Sequence, residues 1–363
     1  MPLVAPFETS LGVENAKDAL LLTVRKAGTV AYGECVASRS PHYGEETIAS
    51  AKYIIKQYLA PLLFRENLEG PTHFLELSSW VKGNNMAVAS VEMALWDLES
   101  KLEGRSLAKQ LGGTKQEVAV GVSVGIERPP EKLFGTVGSY LHEGYRRVKV
   151  KIKPGYDLEP VKAIRARFPD VPLQVDANSA YQLSDTPILK QLDGFGLLLI
   201  EQPLDAADII DHSKLQKQLR TPICLDESVR NPHDAEKAVE IDACRIINIK
   251  PGRVRGIQPA REIHDFCVAR GIPVWCGGML ETGIGRAFNI ALASLPGFSL
   301  PGDISASKRY FQRDIITKPF ELTKDGTLPV PEGPGIGVEV NQHLLDACTV
   351  SMETVTEATL RKS

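Results

Sequence analysis

The sequence predicts an α/β protein built around a closed barrel of parallel strands, preceded by a smaller α+β domain. Short apolar runs rich in β-branched residues recur between about residues 117 and 303, each followed by a polar stretch with helical periodicity. Alternating strands and helices are typical of βαβ units, and a run as apolar as 197–200 fits a sheet buried on both faces. Eight such runs favour a barrel.

The eight predicted barrel strands follow one another at nearly regular intervals. Pro172, Pro222 and Pro273 each open a strand, where the first N–H is not yet needed for the ladder. The last repeat lacks a clear helical pattern, so the expected architecture is (β/α)7β, a modified TIM barrel. An open, doubly wound sheet is the alternative, but GVSVGI does not fit the G-x-G-x-x-G motif usual after its first strand. The predicted strands are VAVGVSVGI (118–126), RVKVKIK (147–153), PLQVDAN (172–178), GLLLIEQP (196–203), PICLDES (222–228), CRIINIK (244–250), PVWCGG (273–278) and FSLPGD (298–303).

The first 113 or so residues have a different pattern, typical of an α+β domain. ALLLTV and VAYGECVA predict two antiparallel strands with a turn near residues 26–28. EETIASAKYIIKQYLAPLL and MAVASVEMALWDLESKLEG predict helices. In the second helix, Val91, Leu95, Leu98 and Leu102 have the spacing of a buried stripe. Beyond the barrel the chain is rich in glycine and proline, and we expect this tail to return to the first domain.

The composition excludes several other classes of protein. A net charge of −3, from 42 basic and 45 acidic residues, does not favour binding to nucleic acid or to an anionic membrane. No apolar run approaches the roughly 18–20 residues that span a bilayer, and MPLVAPFETSLG lacks the features of a signal peptide. The six cysteines form no C-x-x-C pair, which is typical of reduced thiols. We therefore expect a cytoplasmic protein.

One charged residue stands at the predicted C-terminal end of each of five consecutive strands. In chain order they are Lys151, Asp176, Glu201, Asp226 and Lys250, separated by 25, 25, 25 and 24 residues. A lone acid at a strand end is usually a helix cap, but five charges in step are much harder to explain as caps. The C-terminal ends of barrel strands form the mouth where active sites are built. The spacing therefore predicts a single site lined by all five.

Three carboxylates at one mouth would repel one another unless a cation compensates their charge. Carboxylate oxygens suit Mg²⁺, with Mn²⁺ as a substitute, and the set holds no cysteine or histidine that would favour zinc. The two lysines would face each other across the mouth. Such a site suits removal of a proton next to a substrate carboxylate. A lysine base needs a lowered pKa, and Lys149, two residues before Lys151, supplies a like charge.

Several motifs resemble those of a known family in both order and spacing. KVKIKPG, VDANSAY, IEQPL, CLDES, INIKPGRV and WCGGMLETGIGRA are similar to motifs of the enolase superfamily, in its muconate-lactonizing-enzyme subgroup. GGMLETGIGRA and ALASLPGFSLPGDISAS most resemble the o-succinylbenzoate synthase / N-succinylamino acid racemase family. The resemblance implies a capping domain over 1–113, completed by the tail 320–363, and a barrel over 114–319 that carries the active site. We also expect a homo-oligomer.

The resemblance implies roles for individual residues. Asp176, Glu201 and Asp226 would bind Mg²⁺, Lys151 would be the base on one face of the substrate, and Lys250 would be the acid/base or cation on the other. The remaining matched positions are Lys149, which would tune Lys151; Asn178 and Glu227, which would support the cluster; and Ser123, Arg253, Met279, Leu280, Phe7 and Tyr43, which would contact or shield the substrate.

Some of these positions have an ordinary structural alternative, and one neighbour departs from the family. Asn178 is equally compatible with an Asx turn, Ser123 with barrel filling, and Arg253 with a surface position. The family's GRVGG is GRVRG here, so Arg255 replaces a glycine, at a cost of about 1 kcal/mol if φ is positive there. Members of the family usually begin with a further strand about ten residues upstream of MPLVAPF, so we expect either a short start or a capping sheet without that edge strand.

The predicted function is Mg²⁺-dependent removal of an α-proton from a small carboxylate substrate. By resemblance, the reaction is dehydration to o-succinylbenzoate in menaquinone synthesis, racemisation of N-succinylamino acids, or both, and the synthase is the favoured role. N-acylamino acid racemase as the main role, or dipeptide epimerase or muconate-type cycloisomerase on the same scaffold, are the alternatives. A barrel kept only for binding would have lost a ligand or a lysine, and none is lost.

Overall fold

The chain begins with two antiparallel hairpins. The computed structural model describes residues 1–65 and 68–360. The second hairpin turns at Ala27 and Gly28, which both have positive φ, where the sequence predicts a turn. The strands are β1 (Pro2–Thr9) and β2 (Gly12–Ala16) in the first hairpin, and β3 (Leu20–Lys26) and β4 (Thr29–Cys35) in the second.

A long helix, Asn85–Leu102, packs across the second hairpin and forms the core of the N-terminal domain. The two backbones approach closely at Gly33, where an added Cβ would lie 2.1 Å from the main-chain oxygen of Ser90. The expected buried stripe holds except at Leu102, which is 50% exposed because it ends the helix beyond the hairpin. The helices are α1 (Ile48–Ile54), continued by a π-helical turn (Ile55–Leu59), α2 (Ala60–Leu63), α3 (Pro71–Leu77), α4 (Asn85–Leu102) and α5 (Leu107–Leu111).

Strands and helices then alternate around a parallel sheet, as predicted. Seven strands pair in chain order, and their apolar side chains form one continuous core with the helices outside. The elements are β5 (Glu117–Ala119), β6 (Val122–Val124), α6 (Pro130–His142), β7 (Val148–Lys151), α7 (Leu158–Arg167), β8 (Leu173–Asp176), α8 (Thr186–Leu189), β9 (Ile200–Glu201), α9 (Ile209–Gln216), β10 (Ile223–Leu225), α10 (Pro232–Glu240), β11 (Ile246–Ile249), α11 (Ile257–Ala269), β12 (Val274–Cys276) and α12 (Gly283–Ala293).

The segment 298–303 closes the sheet into a barrel, although it is too irregular to count as a strand. The N–H of Asp303 donates to the oxygen of Cys276 on β12 at 2.9 Å, and the N–H of Gly121 donates to the oxygen of Gly302 at 2.8 Å. The predicted eighth strand therefore bridges β12 and the first barrel strand. A short 3₁₀ turn (Ser307–Arg309) stands directly after it, where a barrel helix would follow a strand, so the fold is (β/α)7β as expected.

The first predicted strand, 118–126, is divided into two. Only β6 joins the barrel, whereas β5 pairs antiparallel with β13 (Thr327–Pro329) from the C-terminal tail. The division falls at Gly121, where an added Cβ would lie 2.3 Å from the guanidinium of Arg147. Any residue larger than glycine would therefore overlap the buried Arg147 side chain at this position.

The C-terminal tail contacts both parts of the molecule. The N–H of Ile336 donates to Asp97 on α4 at 2.8 Å, and Glu353 forms ion pairs with Lys52 and Lys56 of the N-terminal helices. These contacts support the proposal that the tail completes the N-terminal domain. The tail also contains α13 (Gln342–Cys348) and α14 (Glu357–Leu360). Among the residues that the structure describes, no helix has the length and apolarity needed to cross a membrane.

Candidate active site

The charged residues predicted from the strand spacing all lie at the mouth of the barrel, and all are buried. Strand pairing sets them at one height, because Lys151 is the register partner of Asp176, and Asp176 is that of Glu201. Side chains alternate along a strand, so Lys149 and Lys151 point to the same side. The five residues are Lys151 of β7, Asp176 of β8, Glu201 of β9, Asp226 after β10 and Lys250 after β11, and Lys149 lies two residues before Lys151 on β7.

Lys149 lies at the centre of a buried ionic cluster. Its Nζ is 2.8 Å from Glu201 Oε2, 3.2 Å from Asp176 Oδ2 and 2.5 Å from Asp303 Oδ2. Arg147 Nη1 binds the other oxygen of Asp303 at 2.6 Å. Lys149 thus holds three acids together beneath the mouth: Asp176 of β8, Glu201 of β9 and Asp303 of the closing segment 298–303.

Lys151 begins a chain of hydrogen bonds that crosses two strands. Its Nζ donates to Asp176 Oδ2 at 2.6 Å and to Asn178 Oδ1 at 2.8 Å, and Asn178 Nδ2 donates to Glu227 Oε1 at 2.9 Å. The N–H of Asn178 also donates to Asp176 Oδ1 at 3.0 Å, which forms an Asx turn led by Asp176. The structure therefore brings the predicted base and its predicted supporting residues into direct contact.

Lys250 binds Asp226 on the opposite side of the mouth. Its Nζ is 2.7 Å from Asp226 Oδ2 and donates to the hydroxyl of Tyr43 at 3.1 Å. Arg253 Nη1 binds the other carboxylate oxygen of Asp226, and its Nη2 donates to the main-chain oxygen of Asn248 at 2.6 Å. Arg253 is almost fully buried and belongs to the site, so the surface alternative for it is wrong.

Neighbouring groups outweigh burial in setting the pKa of Lys149 and Lys250. Burial lowers the pKa of Lys149, but the charges of Asp303 and Glu201 raise it further, to above its ordinary value. Burial likewise lowers the pKa of Lys250, but the partners led by Tyr43 raise it above its ordinary value. These directions are opposite to the lowered pKa that a lysine base needs. The rise at Lys149 comes first from Asp303 and Glu201, and the rise at Lys250 comes first from Tyr43 and Glu227. The pKa of either lysine should therefore fall when those partners are engaged elsewhere.

The residues fit a divalent cation in their donor chemistry. Asp176, Glu201 and Asp226 come from three neighbouring strands at one height and offer only carboxylate oxygens, which are hard ligands. Glu227 Oε2 and Asn248 Oδ1 nearby are buried without a hydrogen-bond partner. Within the described residues, however, no three acids, histidines or cysteines converge as a metal would require. Each predicted ligand is instead turned towards a lysine or an arginine.

Two aromatic residues of the N-terminal domain cover the two lysines. The ring centroid of Phe7, on β1, lies 5.9 Å from Lys151 Nζ, and that of Tyr43 lies 4.7 Å from Lys250 Nζ. Phe7 is 8% exposed, and both residues predicted to shield the substrate lie at the mouth. Each lysine therefore has its own aromatic cover.

The other predicted substrate contacts have less direct links to the site. Ser123 pairs with Lys149 on the neighbouring strand, and its buried Oγ has no hydrogen-bond partner. Met279 packs against the core of the N-terminal domain, and Leu280 has a left-handed backbone with φ of 59°. The Ser123 hydroxyl is thus neither exposed to solvent nor hydrogen-bonded to another protein group. Its role as a substrate contact stays a prediction.

Sequence reasoning missed two residues that bind the site charges. Asp303 pairs with Lys149, and Asn248 Nδ2 donates to Glu201 Oε1 at 2.7 Å. Asp303 ends the eighth predicted strand, but the seventh ends in Gly277 and Gly278, so the run of charged strand ends is broken before it. Asn248 lies two residues before Lys250, and the same alternation that links Lys149 with Lys151 could have found it.

Arg255 does adopt the unfavourable backbone expected for a residue that replaces a glycine. Its φ is 80°, which costs about 1 kcal/mol or more in a non-glycine residue. Its guanidinium does not approach Lys250. It donates instead to the main-chain oxygens of Ser78 and Val81 in the N-terminal domain, at 2.6 and 3.2 Å.

Comparison with known proteins agrees with this architecture. Residues 1–112 match the model of the mandelate racemase / muconate lactonizing enzyme N-terminal domain, and residues 136–344 match the enolase C-terminal domain-like model. The chain is 49% identical over 350 residues to an o-succinylbenzoate synthase of Geobacillus kaustophilus, covering 96% of this chain and 93% of that protein. It is 50% identical over 352 residues to an N-succinylamino acid racemase of an Amycolatopsis species, covering 97% and 95%.

A solved structure leads to the same conclusion. A member of the enolase superfamily from Listeria innocua superposes with a TM-score of 0.93 at 48% identity, covering 97% of this chain and 95% of that one. Both family models and these relatives span nearly the whole sequence. The chain is therefore an enzyme of the mandelate racemase / muconate lactonizing enzyme family, within the enolase superfamily.

Proposed function

We propose that this enzyme uses Mg²⁺, or Mn²⁺ in its place, to remove the α-proton of a small carboxylate substrate. Its main reaction is dehydration to o-succinylbenzoate in menaquinone synthesis, with racemisation of N-succinylamino acids as a second activity. Support comes from the two relatives of about 50% identity, one named for each reaction. The enolase superfamily generally uses a divalent metal, which agrees with the acids at the mouth.

The observation that carries the proposal is the placement of the two lysines. Lys151 ends the second barrel strand and Lys250 follows the sixth, so they lie on opposite sides of an eight-stranded mouth. Asp176, Glu201 and Asp226 lie on the three strands between them. A substrate held over the acids would therefore present one face of its α-carbon to each ammonium group.

The chemistry follows from this placement. In dehydration, Lys151 takes the α-proton. It then gives that proton to the hydroxyl on the neighbouring carbon, which leaves from the same face as water. Lys250 stays protonated and stabilises the enediolate by its charge. In racemisation, one lysine removes the α-proton and the other delivers a proton to the opposite face. Both reactions use the same two residues, so racemase as the main role stays the second candidate.

Asp176, Glu201 and Asp226 would hold the cation. When bound, it would neutralise the charge that develops on the substrate carboxylate. Lys149 would hold Glu201 and Asp176 in place. Dipeptide epimerase or cycloisomerase chemistry would use the same residues, but the relatives at about 50% identity carry other names.

The aromatic residues over the lysines would exclude water from the reacting carbon. Phe7 comes from strand β1 and Tyr43 from the loop between β4 and α1, and together they cover both sides of the mouth. Loss of water strengthens the electrostatic interactions within the site. We also place the enzyme in the cytoplasm, consistent with the free thiols of its five buried cysteines, and propose that it forms a homo-oligomer.

Proton exchange tests the proposal directly. The protein is incubated with N-succinylphenylalanine in D₂O, first with Mg²⁺ and then with EDTA, and α-deuteration is followed by NMR. Exchange with Mg²⁺ that stops in EDTA and returns with added Mg²⁺ is the expected result. Absence of metal-dependent exchange would rule out this substrate class. Parallel assays of dehydration and racemisation then decide between the two reactions.

A further inference from the structure

The segment that follows Lys250 is fastened to the N-terminal domain. Residues 251–256 connect β11 to α11, and within this connecting loop Arg253 binds the same carboxylate as Lys250. Two contacts at its far end cross between the parts of the molecule. One is made by Arg255 and the other by Glu92 of α4.

Arg255 binds the end of a helix in the N-terminal domain. Its Nη2 donates to the oxygen of Ser78, the C-cap residue directly after α3, at 2.6 Å, and its Nη1 donates to that of Val81 at 3.2 Å. Carbonyls at a helix end lack partners within the helix, so a forked guanidinium is well suited to them. Arg255 holds these contacts with a left-handed backbone, at a φ of 80°.

Glu92 provides the second contact by capping a helix that belongs to the barrel. Its carboxylate accepts from the N–H groups of Ile257 at 2.8 Å and Gln258 at 2.9 Å, the first two residues of α11. Gly256 at the start of this helix has no side chain to cap it, and an added Cβ there would lie 2.4 Å from Glu92. The carboxylate therefore lies tightly against the end of the connecting loop.

The Lys151 side of the mouth is tied to a different part of the N-terminal domain. Ser10 Oγ, after β1, donates to the oxygen of Ala177 at 2.9 Å, and Lys153 pairs with Glu8 at 3.0 Å. The two lysines are thus fixed to the capping structure through separate segments. A change in one set of contacts should disturb one lysine more than the other.

We propose that Arg255, acting with Glu92, is a positioning residue for Lys250: it fixes the 251–256 loop so that the ammonium group stays opposite Lys151 across the substrate. The proposal rests on the proposed function, because it assumes that each lysine serves one face of the α-carbon. It assigns a role to the residue by which this chain departs from the GRVGG motif.

Face-specific exchange tests the proposal. Lys250→Ala first identifies the enantiomer of N-succinylphenylalanine whose α-deuteration depends on Lys250. Arg255→Gly and Glu92→Gln are then expected to slow exchange of that enantiomer by roughly tenfold or more, the scale of a small misplacement of a catalytic group. Exchange of the other enantiomer should change by less than about twofold. A general loss of stability would slow both enantiomers alike.

Asp242→Gly is the matched control, since Asp242 is an exposed residue with φ of 56° just before β11. Like Arg255→Gly, this substitution relieves a left-handed backbone, but it removes no contact between the domains. The ratio of the exchange rates of the two enantiomers should therefore equal that of the wild type. Equal slowing of both enantiomers in Arg255→Gly, or no slowing of either, would overturn the proposal. If Lys250→Ala itself shows no preference for one enantiomer, the two-face function fails instead.

Discussion

Replacement of Asp303 by asparagine tests how strongly the buried ionic cluster depends on each charge. Asp303 lies between Arg147 and Lys149 at 2.6 and 2.5 Å, and all three side chains are less than 10% exposed. Asp303→Asn keeps the shape but leaves two buried cations with one fewer acid. Breaking a buried pair in this way typically costs about 3–5 kcal/mol. We expect a loss of that size in the free energy of unfolding, measured in urea at pH 7.

The same substitution has a defined pH dependence. Burial raises the pKa of Asp303, but the charges of Arg147 and Lys149 lower it further, to below its ordinary value. The folded protein therefore favours the ionised form, and this stabilisation is complete above the unfolded pKa of about 3.9. It is lost as the pH falls from there towards the folded pKa. The difference between wild type and Asp303→Asn should thus be full at pH 7 and shrink below about pH 4.

Asp325→Asn is the matched control for this experiment. Asp325 pairs with Arg146 at 3.8 Å, but both side chains are more than 60% exposed. Exposed pairs contribute little, so this variant should unfold like the wild type. A loss in Asp303→Asn no larger than that in Asp325→Asn would contradict the burial of the ionic cluster.

Two further substitutions test the fold and the contact between its parts. Gly33→Ala should lower the free energy of unfolding by at least roughly 1–3 kcal/mol, because its Cβ would overlap the Ser90 oxygen. The control Gly135→Ala has open space around its Cβ and should be neutral or stabilising. Equal effects of the two substitutions would contradict the close packing of α4. Burial raises the pKa of Glu92 to about 7, above its ordinary 4.5, so its ionisation should destabilise the wild type as the pH rises from about 5 to 7. The free energy of unfolding of Glu92→Gln, measured in urea, should lack this decrease between about pH 5 and 7. If wild type and Glu92→Gln differ in stability by the same amount at both pH values, the buried position of the carboxylate is contradicted.

The charges at the mouth could be predicted from sequence because the barrel repeats. One strand and one helix take up about 25 residues, so Asp176, Glu201 and Asp226 fall at one height on successive strands. Parallel pairing at matched register then brings them together without further information. The same regularity located the closing segment 298–303, even though its hydrogen bonding is too irregular to form a strand.

Contacts between distant parts of the chain could not be predicted in this way. Tyr43 reaches Asp226 across 183 residues, and Arg255 reaches Ser78 across 177. No periodicity links such positions, and only the resemblance to a family pointed to Tyr43. The same holds at Gly121, where the first predicted strand divides and where an added Cβ would overlap the buried Arg147, the partner of Asp303.

The central claim is that two lysines serve opposite faces of one α-carbon. Its most direct test is α-proton exchange in D₂O with Mg²⁺, measured for each enantiomer of N-succinylphenylalanine in Lys151→Ala and Lys250→Ala. We predict that each variant loses exchange of a different enantiomer by roughly a hundredfold or more, while retaining measurable exchange of the other. Loss of the same enantiomer in both variants, or unchanged exchange in either, would contradict the account.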